Sequence, residues 1–280
     1  MSTTFQRLAG DTSRFAIEIT FRRGAAEPAA GPPELEASWG SFQIWVEGRN
    51  LCEHQEAGEG MDSVGWYLLP LFEWFAKHWE PLFHEERPPV DVAGASAWKS
   101  LQNSRFPPAA KERSPEEASE WQQKWSTWWQ RHALQACREG GIFPDIVFRR
   151  WREQIEISWG PTRVAGQPEH FQFNYSEGFS RLTPTEVAEP LYEALGEGLE
   201  YLERQVQDSE RFERLRQRLN EIPDTPVGRR LMWVAGLGVD EESVSRGWEE
   251  LDDCVEQIDG AGADHLLEPP ANELVVEGSP

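Results

Sequence analysis

The sequence predicts an α+β fold: an antiparallel sheet with tryptophan-rich helices packed on one face, followed by an all-helical C-terminal subdomain. Three observations predict it. The stretch from Phe15 to Tyr175 holds several short runs that alternate apolar and polar residues, the period of a half-buried strand. Between them lie two aromatic stripes at helical spacing, and after Ser180 only helical periods remain.

Taken in order, Phe15–Phe21 alternates and predicts the first strand. Residues 24–38, rich in Pro, Ala and Glu, predict a loop. Phe42–Val46 predicts a second strand that ends at the turn Glu47-Gly48-Arg49-Asn50. A helix is predicted from about Pro70 to Phe83, with Leu71, Trp74, Phe75, His78, Trp79 and Leu82 on one face. The following stretch, about 87–113, contains Pro88-Pro89 and Pro107-Pro108 and predicts an irregular excursion.

The centre of the chain is Glu116–Trp159. Ser114-Pro115-Glu116-Glu117 is a capping box with proline in the first turn, which satisfies amides that lack a partner within the helix. Trp121, Trp125, Trp128, His132 and Ala136 then fall on one stripe, with Lys124, Gln130, Arg131 and Arg138 off it. Gly140-Gly141 predicts the stop. Ile146-Val147-Phe148 and Ile155–Trp159 predict a hairpin joined by the charged turn Arg149–Glu153, the second strand having one buried face. Phe171–Tyr175 predicts a further strand.

Thr183-Pro184-Thr185-Glu186 is another capping box, and Pro190 predicts a kink or restart. Leu191, Leu195, Leu199, Leu202 and Val206 form a stripe, followed by Phe212, Leu215 and Leu219. A short helix from Thr225 leads to Gly236-Leu237-Gly238. The last predicted helix carries Val244, Trp248, Leu251, Val255 and Ile258. The division expected is residues 1–180 as the α+β domain, 181–259 as the helical subdomain and 260–280 as an acidic flexible tail.

Composition narrows the function classes. The chain has 49 acidic residues against 27 Lys and Arg, a net charge of -22, which repels phosphate backbones and anionic membranes. Nucleic acid and membrane are therefore not expected partners, and no apolar run reaches the roughly 20 residues of a membrane helix. Three scattered cysteines, without a CxxC pair, predict free thiols and a reducing, cytoplasmic setting. The 14 Trp and 14 Phe, against 4 Tyr, put the core in large rings.

His78 and His132 sit within aromatic stripes and are expected to point inward. With Trp74 and Trp128 they form the candidate ligand-binding set, an aromatic pocket around two imidazoles. A core histidine bonded to a backbone carbonyl explains the same pattern. Neither helix offers a second ligand one turn away, so no metal and no cofactor is expected. His84-Glu85-Glu86 and Cys52-Glu53-His54 read as solvated loops. Gly-rich phosphate loops and nucleophile elbows are missing from the sequence, so no catalytic residue is assigned. The basic cluster Arg149, Arg150, Trp151 and Arg152, together with Trp248 on the acidic last helix, forms the candidate partner-binding set.

The runs Trp128–Leu134, Glu139–Arg150 and Ile155–Trp159, with Trp74, His78 and Trp79, resemble the N-terminal accessory regions of bacterial proteins that carry an ImmA/IrrE-type metallopeptidase domain. No HExxH motif occurs in this chain, so the resemblance does not bring peptidase activity with it. It implies an accessory region or a relative without the enzyme. The expected function is a non-catalytic interaction module of a bacterial regulatory or defence pathway, its partner a basic protein or a protease. The alternatives are a small-ligand binder at His78 and His132, or the accessory domain of a metallopeptidase.

Overall fold

The computed structural model describes residues 4–22, 32–56, 58–85, 96–105, 114–138, 142–161, 171–207 and 209–222. The fold is α+β, and every strand pairing in it is antiparallel. In place of one sheet there are three.

The first sheet is built from β1 (Phe5–Asp11), β2 (Phe15–Phe21), β3 (Trp39–Val46), β4 (Arg49–Asn50) and β7 (Val64–Tyr67), in the order β1-β2-β3-β4 with β7 also on β3. β2 and β3 are where alternation places them. β1 was not expected, because Arg7 stands between Phe5 and Ala9 on its covered face and Leu8 on its exposed face, which breaks the apolar alternation. The β3–β4 turn is Glu47-Gly48, both at positive φ, as the favoured two-residue hairpin connection requires. The short strands β5 (His54–Glu56), β6 (Glu59–Met61) and β10 (Gln172–Phe173) form the second sheet. Part of the predicted loop before β3 is a short helix, α1 (Pro33–Ala37), started by Pro33.

The predicted helix 70–83 is two helices, α2 (Leu68–Lys77) and α3 (Trp79–His84), broken at His78. Pro81 is the cause. It has no N–H for the carbonyl four residues back, and its ring crowds that carbonyl, so it is tolerated only in the first turn of a new helix. A further helix, α4 (Ala97–Arg105), lies within the stretch expected to be irregular. Its start is legible after the fact: the Ser96 hydroxyl accepts from the Lys99 amide at 3.2 Å, and Ala97, Trp98 and Leu101 share one face.

α5 (Pro115–His132) begins as predicted, with Ser114 and Glu117 exchanging both capping-box bonds. It ends at His132, well before the glycine pair, because Ala133 leaves the helix to bridge Val147 on the neighbouring strand. A 3-10 turn, Leu134–Cys137, follows. Only the C-terminal half of α5 packs: Trp128 and His132 are buried, Trp125 is half-buried, and the first turns are exposed.

The third sheet carries the candidate sites. It consists of β8 (Asp145–Trp151), β9 (Gln154–Gly160) and β11 (Gly178–Leu182), in the order β11-β9-β8. The turn is only Arg152-Glu153, with Arg152 at φ 56, so Arg149 and Arg150 belong to the strand rather than to a charged turn. β9 is buried on both faces. Ile155, Ile157 and Trp159 join the main core, while Glu156 and Ser158 lie beneath α4. α4 brings Trp98 and Leu101 together with Trp128, Ala133 and Val147 in a second, smaller core.

α6 (Pro184–Gln205) opens on the predicted Thr183 capping box and runs through Pro190 without restarting. Pro190 is buried there, beside Gly10. α6 lies across β1 and β2, and α7 (Glu210–Glu221) packs on α6 and α2. Their apolar residues, including Leu191, Leu195, Leu199 and Phe212, belong to the same buried cluster as the sheets. The boundary expected near residue 180 falls inside β11. The predicted helix from Thr225, the Gly236-Leu237-Gly238 turn, the last helix with Trp248 and the acidic tail lie outside the described residues. Among the described residues no helix is long and apolar enough to cross a membrane.

Two glycines test the packing of α4 and α6. A Cβ at Gly160 would sit 2.3 Å from the Trp98 ring, whereas one at Gly196 would meet nothing within 4 Å. Gly160→Ala should cost about 1–3 kcal/mol by overpacking, and Gly196→Ala should stabilise by roughly 0.5–1 kcal/mol by removing helix-glycine entropy. Urea unfolding of the two variants beside the parent reads both signs.

Candidate functional site

β8 and the elements packed on it bring the sequence-predicted residues into two ionic clusters. The first is centred on His132. Its ring is fully buried and stacks on Trp128, with centroids 4.0 Å apart and planes 15° off parallel. Nδ1 donates to the Phe148 carbonyl at 2.7 Å, and Nε2 lies 2.8 Å from Glu85 Oε2. Arg131 reaches the same carboxylate from the next position on α5, at 3.0 and 3.1 Å. Burial alone would raise the Glu85 pKa, but the hydrogen bond and charge of His132, with Arg131, outweigh it and hold the group below the usual carboxylate range.

Glu85 closes the end of α3, and its backbone carbonyl accepts from the Arg150 amide at 3.1 Å. The cluster therefore joins α3, α5 and β8. The motif His84-Glu85-Glu86 reads from sequence as a solvated loop, yet the Glu85 side chain is only 11% exposed. Arg131, expected to face water, is nearly as covered.

His78 sits at the break between α2 and α3, its ring 5.8 Å from that of Trp74. Burial pushes its pKa down to about 3, and the positive charges of Lys77, His132 and Arg131 act in the same direction. The two histidines are electrostatic neighbours. Trp74 is buried and donates from Nε1 to the Gln130 carbonyl at 2.7 Å, tying α2 to α5. In chemical terms the cluster is a polar knot within the core: each His132 nitrogen is already engaged, and the two flanking tryptophans are packed.

The second cluster is centred on Glu156, which alternation places on a solvent face but which is fully buried. Oε1 accepts from the Ala97 amide at 2.7 Å, at the N-terminus of α4, and from Arg149 at 3.0 and 3.1 Å. Oε2 accepts from Arg181 Nε and Nη2 at 3.1 and 3.0 Å. Arg149 is itself only 4% exposed. Beside it, Ser158 Oγ accepts from the Trp98 amide at 2.9 Å and Trp98 Nε1 donates to Asp145 at 2.8 Å.

Of the predicted partner-binding residues, Arg149 is therefore a core ion-pair member. Arg150 Nε bonds to the Arg152 carbonyl at 2.6 Å, and its guanidinium lies 3.5 Å from Glu153. Trp151 is half-buried, with Arg149 at 4.8 Å and Arg181 at 4.3 Å over its ring. Arg181 also lies 5.0 Å from the ring of Phe179, which is 44% exposed. Sequence reading missed Phe179 and Arg181 because β11 is short and carries only two apolar residues, on opposite faces.

Cys52-Glu53-His54 is also not a solvated loop. Cys52 and His54 are buried, and His54 Nδ1 donates to the Cys52 carbonyl at 2.9 Å while its ring stacks on Phe171 at 4.6 Å. Cys52 and Cys137 are free thiols, and burial pushes the Cys52 pKa up. A surface cleft of about 510 Å³ is lined by Trp45, Arg49, Asn50, Glu53 and Asp62 among others. Among the described residues, no group of three or more His, Cys, Asp or Glu is placed to hold a metal ion. No protein-family model, curated protein or solved structure matches the chain.

The His78 pKa gives a pH test. A histidine depressed in the fold binds its proton more readily when unfolded, so stability is complete above the ordinary value near 6.5 and falls as pH drops toward about 3. His78→Gln should flatten that part of the pH–stability curve relative to the parent. Unfolding curves at steps between those two pH values measure the difference.

Proposed function

We propose that this chain is a non-catalytic interaction module that recognises a protein partner through the β8–β9–β11 sheet. The observation that carries this reading is β11: an edge strand whose one ladder partner among the described residues is β9, with an exposed phenylalanine beside Arg181, whose guanidinium lies over Trp151. Aromatic and arginine side chains held in fixed rotamers are the usual anchors of protein interfaces, because little entropy is lost when they are covered. The titratable groups that could serve catalysis, His132, Glu85 and Glu156, have their polar atoms engaged in holding helices to the sheet.

The resemblance of Trp128–Trp159 to accessory regions of ImmA/IrrE-type proteins supports a place in a bacterial regulatory or defence pathway. A chain of net charge -22 attracts basic proteins at long range, which supports a partner that is basic overall or a protease. The contact itself is set locally, at the positive strip around Arg181.

Site-specific photo-crosslinking in a lysate of the source organism tests the reading. A photoreactive phenylalanine analogue at Phe179 should yield one dominant protein adduct, and the same analogue at the exposed Tyr192 of α6 should not. Equal labelling at both positions, or none at Phe179, contradicts the assignment of this surface.

A further inference from the structure

We infer that the outer edge of β11 is a strand-addition site for an extended acidic peptide segment, one carboxylate of which is read by the Arg181–Trp151 pair. This rests on the reading of the β8–β9–β11 sheet as the recognition surface and adds the chemistry of what it takes.

The backbone supplies the first argument. β11 is the end strand of its sheet, Gly178–Leu182 pairing with Trp159–Ile155 of β9. On its other side β11 makes no ladder among the described residues. β8, at the opposite edge, is closed: Ala133 bridges Val147, and the Arg150 amide bonds to Glu85. Natural sheets guard an open edge with very short strands, charged side chains (lysine above all), proline or a bulge. β11 is five residues long, and its one charge, Arg181, is drawn onto Glu156. Gly178-Phe179-Ser180-Arg181-Leu182 contains neither lysine nor proline, pairs in unbroken register and offers an exposed Phe179. Such an edge takes an extended chain by main-chain hydrogen bonds, with alternate side chains reading specificity.

The side chains supply the second. Strand period two puts Ser180 and Leu182 inward, and Phe179 and Arg181 on the face shared with Glu156, Arg149 and Trp151. α4 covers that face over Ser158 and Gly160 and begins at Glu156, so Trp151 lies beyond its N-terminus, Arg181 is level with its start, and Phe179, opposite Ser158 on the neighbouring strand, is left exposed. Every second side chain of an added strand would therefore pass over an aromatic and guanidinium surface.

Charge supplies the third. Among the described residues, the guanidiniums of Arg149 and Arg181 share the single carboxylate of Glu156 on that face, a local positive surplus on a chain of net charge -22. Glu177, at the start of β11, is paired with Lys99. Arg181 uses only Nε and Nη2 on Glu156, which leaves Nη1 as a donor for an incoming carboxylate. A second copy adding its own β11 edge would set the same arginine strip against itself, like charge to like, so a carboxylate-bearing segment of a different protein is the better local complement.

Fluorescence anisotropy with the full chain and short labelled peptides tests the inference. The probes are a peptide alternating valine and aspartate, its valine–lysine counterpart, and the aspartate peptide N-methylated at alternate amides in either register. The aspartate peptide should bind, more weakly as salt rises, and the lysine peptide and at least one N-methylated form should lose about tenfold or more in affinity. Phe179→Asp, at an exposed position, should weaken binding by a similar factor with an unchanged melting temperature. Equal binding of the lysine peptide overturns the charge assignment, and indifference to N-methylation in both registers overturns strand addition. A mass that doubles with concentration, with no peptide bound, would make a second copy the occupant and also overturn it. Failure of every peptide while Phe179 still crosslinks to a protein removes this inference alone, whereas failure of both removes the proposed surface.

Discussion

The third sheet depends on one buried carboxylate. Glu156 lies with no exposed surface between two arginines on the flanking strands and the first amide of α4. Taking a carboxylate and a guanidinium out of water costs several kcal/mol for each ion, recovered only when geometry is good and the remaining hydrogen-bonding positions are filled. Here both oxygens are filled by donors from three elements. The consequences spread from that point. α4 is fixed end-on over Ser158, which brings Trp98 against Gly160 and onto Asp145 and completes the second core with Trp128 and Val147. Arg181, fixed by Oε2 of the same carboxylate, is held over the ring of Trp151, and the exposed strip beside β11 takes its shape from that pair.

The His132 cluster does the same for the other edge of the sheet. It ties the end of α3 and the end of α5 to β8 through one imidazole, one carboxylate and one backbone carbonyl. These buried pairs differ in kind from the surface pairs on α6 and α7, such as Arg214 with Glu210, where both side chains are largely exposed and the net contribution is small. A core rich in tryptophan suits this arrangement. Indole brings a large apolar area and a single donor that reaches carbonyls and carboxylates, as Trp74 reaches Gln130 and Trp98 reaches Asp145.

What was legible in the sequence was local. The capping boxes at Ser114 and Thr183, the alternation of β2 and β3 and the hairpin of β8 and β9 are each specified within a few residues, and each stands where those residues place it. Glu156 was hidden because alternation assumes that the polar face of a strand meets water, and no local signal says that a helix from a proline-rich stretch will cover it. The early end of α5 was hidden for a related reason: Ala133 leaves the helix for a pairing with Val147, which is remote in sequence. Pro81 did carry a local signal for the break between α2 and α3, but the aromatic period runs straight through it and masks it. Of the candidate histidines, His132 is fully buried where period turns it inward and His78 is half-buried at the break between α2 and α3, while Glu85, which meets His132, sits in a segment whose composition reads as solvated loop.

Residue-resolved native-state hydrogen exchange on Glu156→Gln tests the central claim most directly. A neutral amide leaves the buried Arg149 without its countercharge and gives the N-terminus of α4 a weaker acceptor. The account predicts that the amides of α4 and of the β9–β11 ladder lose about 3–5 kcal/mol of protection. Amides of α6 over β1 and β2 should lose less wherever they open by local rather than global unfolding. A loss under about 1 kcal/mol at α4, with the β9–β11 ladder unchanged, would show that apolar packing alone holds the helix and that Glu156 is not the constraint on which this sheet depends.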